Sequence, residues 1–380
     1  MAVRRRSLTV LAALMVLLGS LAAPALAQRA APDKSANARL VKNFPFKGGN
    51  DIAYDGRYAY ALERGGRGGF KIYDPKKLKQ VGEFKCPTYS ELKPLGRGLL
   101  AMDVTGGCAP GSGILFVDTK NPKKVRPLGF IATNHHTFRN YPGKKILYLS
   151  TNGAAGDLAG GKEFIIDASN PSKPVSKAPY TSMGLGCHDI WIHVKGKRKI
   201  AACAAGSETQ LWDVSNPFAP VTLSRIPTPQ TFFNHSAAIS DDGKLLIVGD
   251  EAHAVTECAG GPSGDLWAYD ISEPGVPVFQ GFFSLNRGTA VSSFWVDPQN
   301  EWCSAHNYEF VPGTHKLVAG WYAGGMNVID FSDPANPKEI AHYMQEETSV
   351  WGAYWIAGRI WTSDDDRGVD VIEVKGLKAR

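Results

Sequence analysis

No run of five like charges occurs in the 380 residues, and no segment after the first 27 is apolar for long enough to span a bilayer. The first absence removes the electrostatic footprint of a nucleic-acid binder. The densest basic stretch, Lys195-Gly196-Lys197-Arg198-Lys199, sits between two apolar runs and reads as a solvated hairpin turn. A nucleophile elbow, a P-loop, a dinucleotide fingerprint, a zinc-protease motif and a CxxC metal pair are all missing. Glycine and proline, at 41 and 24 residues, stay below the share that marks a low-complexity chain, and 43% hydrophobic residues suffice for a large core. Many Gly, Pro, Asn and Asp between short apolar runs point to β-structure and tight turns.

The N-terminus reads as an address. Arg4, Arg5 and Arg6 precede an apolar stretch from Leu8 to Leu21, and Ala25-Leu26-Ala27 follows. This is the order of a secretory signal peptide, with cleavage expected after Ala27. No cysteine near that point suggests a lipid anchor. Loss of residues 1–27 halves the formal net charge of +6. The expected mature protein is secreted, periplasmic or otherwise extracytoplasmic, monomeric, and free of transmembrane segments. Residues 28–37 are expected to be a flexible leader, 38–376 one domain and 377–380 a tail.

One pattern recurs seven times: an apolar run, an acid, then Asn-Pro or Asp-Pro. Clear copies are Phe164-Ile165-Ile166-Asp167 before Asn170-Pro171, and Asn327-Val328-Ile329-Asp330 before Asp333-Pro334. The first copy is Gly69–Asp74; the last, Val369–Glu373, lacks the proline turn. Successive acids stand roughly 43 to 60 residues apart, the period of propeller blades. Four short strands fit in each unit, which predicts an all-β, seven-bladed propeller. The final unit lacks an outer strand, and Arg39–Phe44 is a strand without a blade. The two are expected to pair and close the ring, removing an open edge.

These repeats resemble LVIVD repeats, which occur in exported bacterial β-propeller proteins, over nearly all of residues 39–374. The resemblance is strongest in copies three to six and implies a seven-bladed propeller. In architecture the chain is also distantly similar to the selenium-binding and methanethiol oxidase propellers, whose histidines are linked to copper. The likeness extends to the placing of the histidines and not to the whole sequence.

His136, His188, His235 and His306 each open the first strand of a unit. In a propeller that strand is innermost, so four imidazoles are expected to converge on one mouth of the central channel. Imidazole suits copper or zinc. His135, Asp189, Glu63, Glu251, His253, Asn307, Trp321, Tyr322 and Trp351 are expected around the same mouth, with Glu251 the candidate acid/base. Two readings follow: a scaffold binding a protein or small molecule through a His-lined mouth, or a metal-dependent enzyme, most naturally an oxidoreductase. Six cysteines in an exported chain favour disulfides. The blade scheme pairs Cys187 with Cys203, Cys86 with Cys108, and Cys258 with Cys303.

Overall fold

The computed structural model describes residues 32–65, 67–150, 162–163, 165–177, 180–181, 186–251, 257–259, 264–289, 303–346 and 348–380. Among these residues every regular element is a strand, and no helix is long and apolar enough to cross a membrane. Five four-stranded antiparallel sheets run in chain order. Their first strands are Gly49–Tyr54, Leu92–Pro94, Thr137–Asn140, Asp189–Lys195 and Asn234–Ile239. Two more four-stranded meanders begin at Ala305–Phe310 and Val350–Ile356, and touch through one parallel bridge between Asn307 and Gly352. The last meander takes its fourth strand from the other end of the chain: Ala38–Phe44 pairs antiparallel with Gly368–Val374. This set of all-β sheets is consistent with a propeller.

Within the stretch read as a loose leader, Asp33–Lys34 pairs with Met344 and Tyr343. Ser35 bonds the backbone of His342 through both its N–H and its hydroxyl. That part of the leader is therefore tied to the sheet beside it.

The repeated acid acts within its own turn. The Asp118, Asp167, Asp213, Asp270 and Asp330 carboxylates each accept the backbone N–H two residues on, at 2.7–3.0 Å. Asn121, Asn170 and Asn216 repeat the device one turn later, at 3.1–3.2 Å. Proline behind the Asn presets the backbone angle and ends the strand ladder. These bonds to the ionised form hold the five aspartates below the usual carboxylate range.

The turn also locks onto a neighbouring sheet. A Cβ added to Gly82 would collide with the Pro122 carbonyl, and one on Gly129 with that of Pro171. Glycine in these fourth strands thus admits the next sheet's proline turn at backbone distance.

The apolar core lies between sheets rather than within one. Ala101, Ile114 and Phe116 of the second sheet pack with Leu147, Leu149 and Ile166 of the third. Each consecutive pair shares a cluster of this kind, and Ile52, Ala61 and Tyr73 of the first sheet pack with Trp361, Val369 and Val371 of the last. Trp321, expected at the mouth, is part of such a cluster: it is 1% exposed and meets Phe283 edge-on. Its alternation on the strand turns it into that cluster, while Tyr322 beside it, equally buried, turns to His306 and Trp351.

Cys86–Cys108 and Cys187–Cys203 are disulfides, with Cα atoms 5.4 and 5.3 Å apart. Cys303 is also disulfide-bonded, and no described cysteine is free. The side chain of Cys258 lies outside the described residues.

Candidate metal centre

The first strands of the sheets share a repeated irregularity. Asn234 pairs with Asp250 and Ser236 with Gly249, so His235 is left between them as an extra residue. Ala305 pairs with Trp321 and Tyr308 with Ala319, which leaves His306 and Asn307. Val350 pairs with Asp364 and Gly352 with Ser363, which leaves Trp351. A bulge of this kind bends the strand and re-aims a side chain. His136 and His188 stand just before their strands, with N–H bonds to Ser150 and Ala204 carbonyls at 2.7 Å.

The result is a continuous string of rings. Centroids lie 4.3 Å apart from His136 to His188, 4.3 Å from His188 to His235, 4.2 Å from His235 to His306, and 4.1 Å from His306 to Trp351. Hydrogen bonds between sheets set the orientation. The His188 Nδ1 lies 3.1 Å from the His235 carbonyl, and the His306 Nδ1 lies 2.7 Å from that of Trp351. A carbonyl can only accept, so in both rings Nδ1 carries the proton and Nε2 keeps its lone pair when the ring is neutral. Hydroxyls of Ser90, Thr137 and Ser236 donate in turn to the carbonyls of His136, His188 and His306 at 2.7–3.1 Å.

Glu251 closes the group. It follows Asp250, whose carboxylate accepts the N–H of Phe233 at 2.7 Å and of Gly264 at 3.1 Å, while the Glu251 N–H donates to the Phe233 carbonyl at 2.9 Å. The Glu251 carboxylate then lies 3.6 Å from His235 Nε2 and 3.8 Å from His306 Nε2, and accepts the Tyr322 hydroxyl at 2.9 Å. Candidate ligand atoms of His188, His235 and Glu251 all fall within 4.8 Å of one another. Ligands at about 2.0–2.1 Å around a tetrahedral zinc lie roughly 3.3 Å from one another, so the three groups would have to draw together to hold one. All three residues are buried. Burial pushes the Glu251 carboxyl up to about 7, against the Tyr322 hydrogen bond, and holds the His306 imidazole well below its ordinary value. Neutral imidazoles beside one carboxylate are a donor set for a transition metal.

The remaining expected residues divide. His136 stacks on His188 but stands outside the three-residue group. Tyr322 and Trp351 belong to the group: their rings lie 5.8 Å apart and both flank His306. His135 turns away: its Nδ1 lies 2.8 Å from the Thr133 hydroxyl, its ring meets Phe138, and burial lowers its pKa to about 4. Glu63 also leaves the mouth, because its carboxylate pairs with Lys71 and Lys85 on its own sheet. His253 lies outside the described residues. Asp364, at the matching strand end, is occupied by the Thr348 hydroxyl at 2.8 Å and the Ser349 N–H at 3.1 Å.

Asp189 and Asn307 are one level deeper. They border a cavity of about 30 Å³ together with Asp51, Lys93, Arg139 and Glu309. Lys93 bridges Asp51 at 2.6 Å and Glu91 at 2.5 Å, and Tyr354 donates to Asp51 at 2.9 Å. Burial pushes the Lys93 ammonium down, but Asp51 and Glu91 together outweigh it and leave its pKa raised. Burial also lifts Glu91, Asp189 and Glu309, the last to about 7.

Sequence reading missed Arg64 and Tyr89. The Arg64 guanidinium lies 4.3 Å from the Trp351 ring and 5.3 Å from the Tyr89 ring, and the Tyr89 ring is 6.5 Å from that of His136. The available signal was strand register: Arg64, like Glu251 and Tyr322, is the residue just after a second strand, whereas Glu63 is the last residue within one.

The LVIVD repeat family matches the chain over residues 160–182 and 318–345. The second stretch spans the strand before Tyr322 and the Asp-Pro turn that follows. No curated protein matches the chain.

Proposed function

We propose that the protein is an exported, seven-bladed β-propeller that binds a transition metal, copper or zinc, at one mouth of its channel and presents it to a ligand. His188, His235 and Glu251 are the core ligands, and His306 completes the set. The observation that carries this reading is the pair of Nδ1-to-carbonyl bonds at His188 and His306. They leave Nε2 as the donor atom, in the manner of metal-ligating histidines steadied by a carbonyl behind them.

Blade count and closure belong to the same proposal. They are supported by the seven meanders, by the pairing of Ala38–Phe44 with Gly368–Val374, and by the cluster joining the first and last sheets. Export is supported by the N-terminal arginines and apolar stretch, and by the disulfides.

Bound metal would supply Lewis acidity or a redox couple at the mouth. The chain's own residues do the positioning: the carbonyl bonds fix two imidazoles, and Tyr322 orients Glu251. A second reading, a metal-free binding scaffold, is favoured by the close ring stacking, which ties successive blades together without any ion. Elemental analysis of purified wild type and of the His188→Ala/His235→Ala double variant separates them. Stoichiometric copper or zinc in the wild type, lost from the variant, supports the metal centre. A wild type that takes up neither metal leaves the scaffold.

A further inference from the structure

The mouth has a second sector whose side chains suit an organic ligand. Register identifies it. In the first sheet Gly49 pairs with Glu63 and Ile52 with Ala61, which leaves Asn50 and Asp51 in the bulge. In the sixth the corresponding pairs leave His306 and Asn307. Asn50 therefore holds the place of an imidazole, and Arg64 the place of Tyr322. The match is independently marked one level down, where Asp51 and Asn307 border the same cavity.

Two observations at this sector call for a ligand. Asn50 is fully buried, and neither atom of its side-chain amide has a hydrogen-bond partner among the described residues. A buried amide without partners is unfavourable, and native structures satisfy such groups with water or a ligand. Near it in the register, the Arg64 guanidinium lies over the rings of Trp351, at 4.3 Å, and Tyr89, at 5.3 Å. A guanidinium held by its face against aromatic rings can meet a carboxylate side-on through its planar N–H fork. The Arg64 backbone is fixed by an N–H bond to the Gly48 carbonyl at 2.8 Å.

We propose that Asn50 and Arg64 form a subsite for a small organic carboxylate that carries a hydroxyl or amino group on the neighbouring carbon. Arg64 takes the carboxylate. The Asn50 amide donates to it through Nδ2 and accepts from the neighbouring donor through Oδ1. A simple carboxylate leaves that acceptor unanswered and binds more weakly. Trp351 links the two sectors, since its ring lies 4.1 Å from His306 on one side and 4.3 Å from Arg64 on the other. The acid is thus held next to the metal, so the proposal rests on the metal reading for the role of the subsite but not for its existence.

The test is calorimetric titration of glycolate and acetate into the full chain, in zinc-loaded and chelator-stripped protein, with Arg64→Gln and Asn50→Asp variants. Glycolate is expected to bind at least tenfold more tightly than acetate. Each variant is expected to lose at least tenfold for glycolate while keeping wild-type zinc uptake and a cooperative melt. Arg64→Lys, which retains charge without the planar fork, should fold and bind between the two. Equal glycolate affinity in wild type and Arg64→Gln overturns the proposal, as does a glycolate-soaked crystal of wild type with only an ordered water at Asn50. Arg64-dependent glycolate binding without zinc uptake keeps the subsite and removes the metal centre. Zinc uptake without Arg64-dependent binding does the reverse.

Discussion

Glu309 offers a pH test of the channel's interior. Its carboxylate accepts the Trp355 N–H and faces the cavity that also meets Asp51, Glu91, Asp189, Lys93, Arg139 and Tyr354. Burial dominates and lifts its pKa from 4.5 to about 7, even though the Trp355 bond, Arg139 and Lys93 pull the other way. The folded protein therefore holds a proton on Glu309 that the unfolded chain releases near pH 4.5. Below that pH both states are protonated and the group is neutral in its effect. As pH rises from 4.5 to about 7 the folded state loses stability, and the full penalty is present above 7.

The size follows from about 1.4 kcal/mol per pH unit, which gives roughly 3 kcal/mol as an upper bound. Room for water in the cavity reduces it. Glu309→Gln keeps an acceptor for Trp355 and cannot ionise. Urea denaturation at pH 4, 5, 6, 7 and 8 should show the variant matching wild type at the acid end. Its advantage should then grow to between about 1 and 3 kcal/mol at pH 8. Asp189 and Glu91 still titrate in the variant, so the informative quantity is the difference between the two proteins at each pH. A difference that stays constant from pH 4 to 8 would refute the assignment of a raised pKa to this carboxyl.

Two further outcomes test the packing and the metal site. Gly129→Ala should destabilise by about 1–3 kcal/mol, because the new methyl meets the Pro171 carbonyl and Ser172 backbone of the neighbouring sheet. Gly275→Ala, with nothing near its added methyl, should melt like wild type, and equal melting of both variants would remove the interlock. Tyr322→Phe deletes the donor to Glu251 and should weaken zinc about 10- to 100-fold by chelator competition, with the fold intact. An unchanged zinc affinity would exclude Glu251 as an oriented ligand.

The fold was legible because its signals are local and repeated. Each Asp-x-x-Asn-Pro unit writes its own turn, and the turn marks the strand on either side. The spare strand at Arg39–Phe44 was visible by counting strands in the last unit. Inside the stretch read as a leader, Asp33–Lys34 pair with the edge of Lys338–Met344, a pairing that two polar residues do not announce in the sequence. At the site, the histidines were legible as one residue type at one place in the unit. The acids were not, because a strand end looks alike whether its acid faces the mouth or the sheet. Glu63 and Arg64 differ by one position, and a one-residue shift exchanges the two faces. That shift sends Glu63 to Lys71 and Lys85 and brings Arg64 to Trp351. Trp321 and Tyr322 divide in the same way.

The placing of the histidines in four successive sheets has a geometric reason. Neighbouring places at the mouth lie 4.1–4.3 Å apart, ring centre to ring centre. Ligands of one metal must converge to about 2 Å from it, which favours side chains on neighbouring strands over widely separated ones. Histidines dispersed evenly around the ring would point at a shared axis without chelating. Grouped histidines instead build the centre on one side, where Glu251 and Tyr322 of the adjoining loops can reach it. The remaining equivalent places are then left to other chemistry: they carry Trp351, next to His306, and Asn50, with Arg64 just after the second strand of the first sheet. Equivalent strand positions thus carry two unlike sets of side chains that adjoin at Trp351. In the proposed function, a ligand held by the second would be presented to a metal at the first.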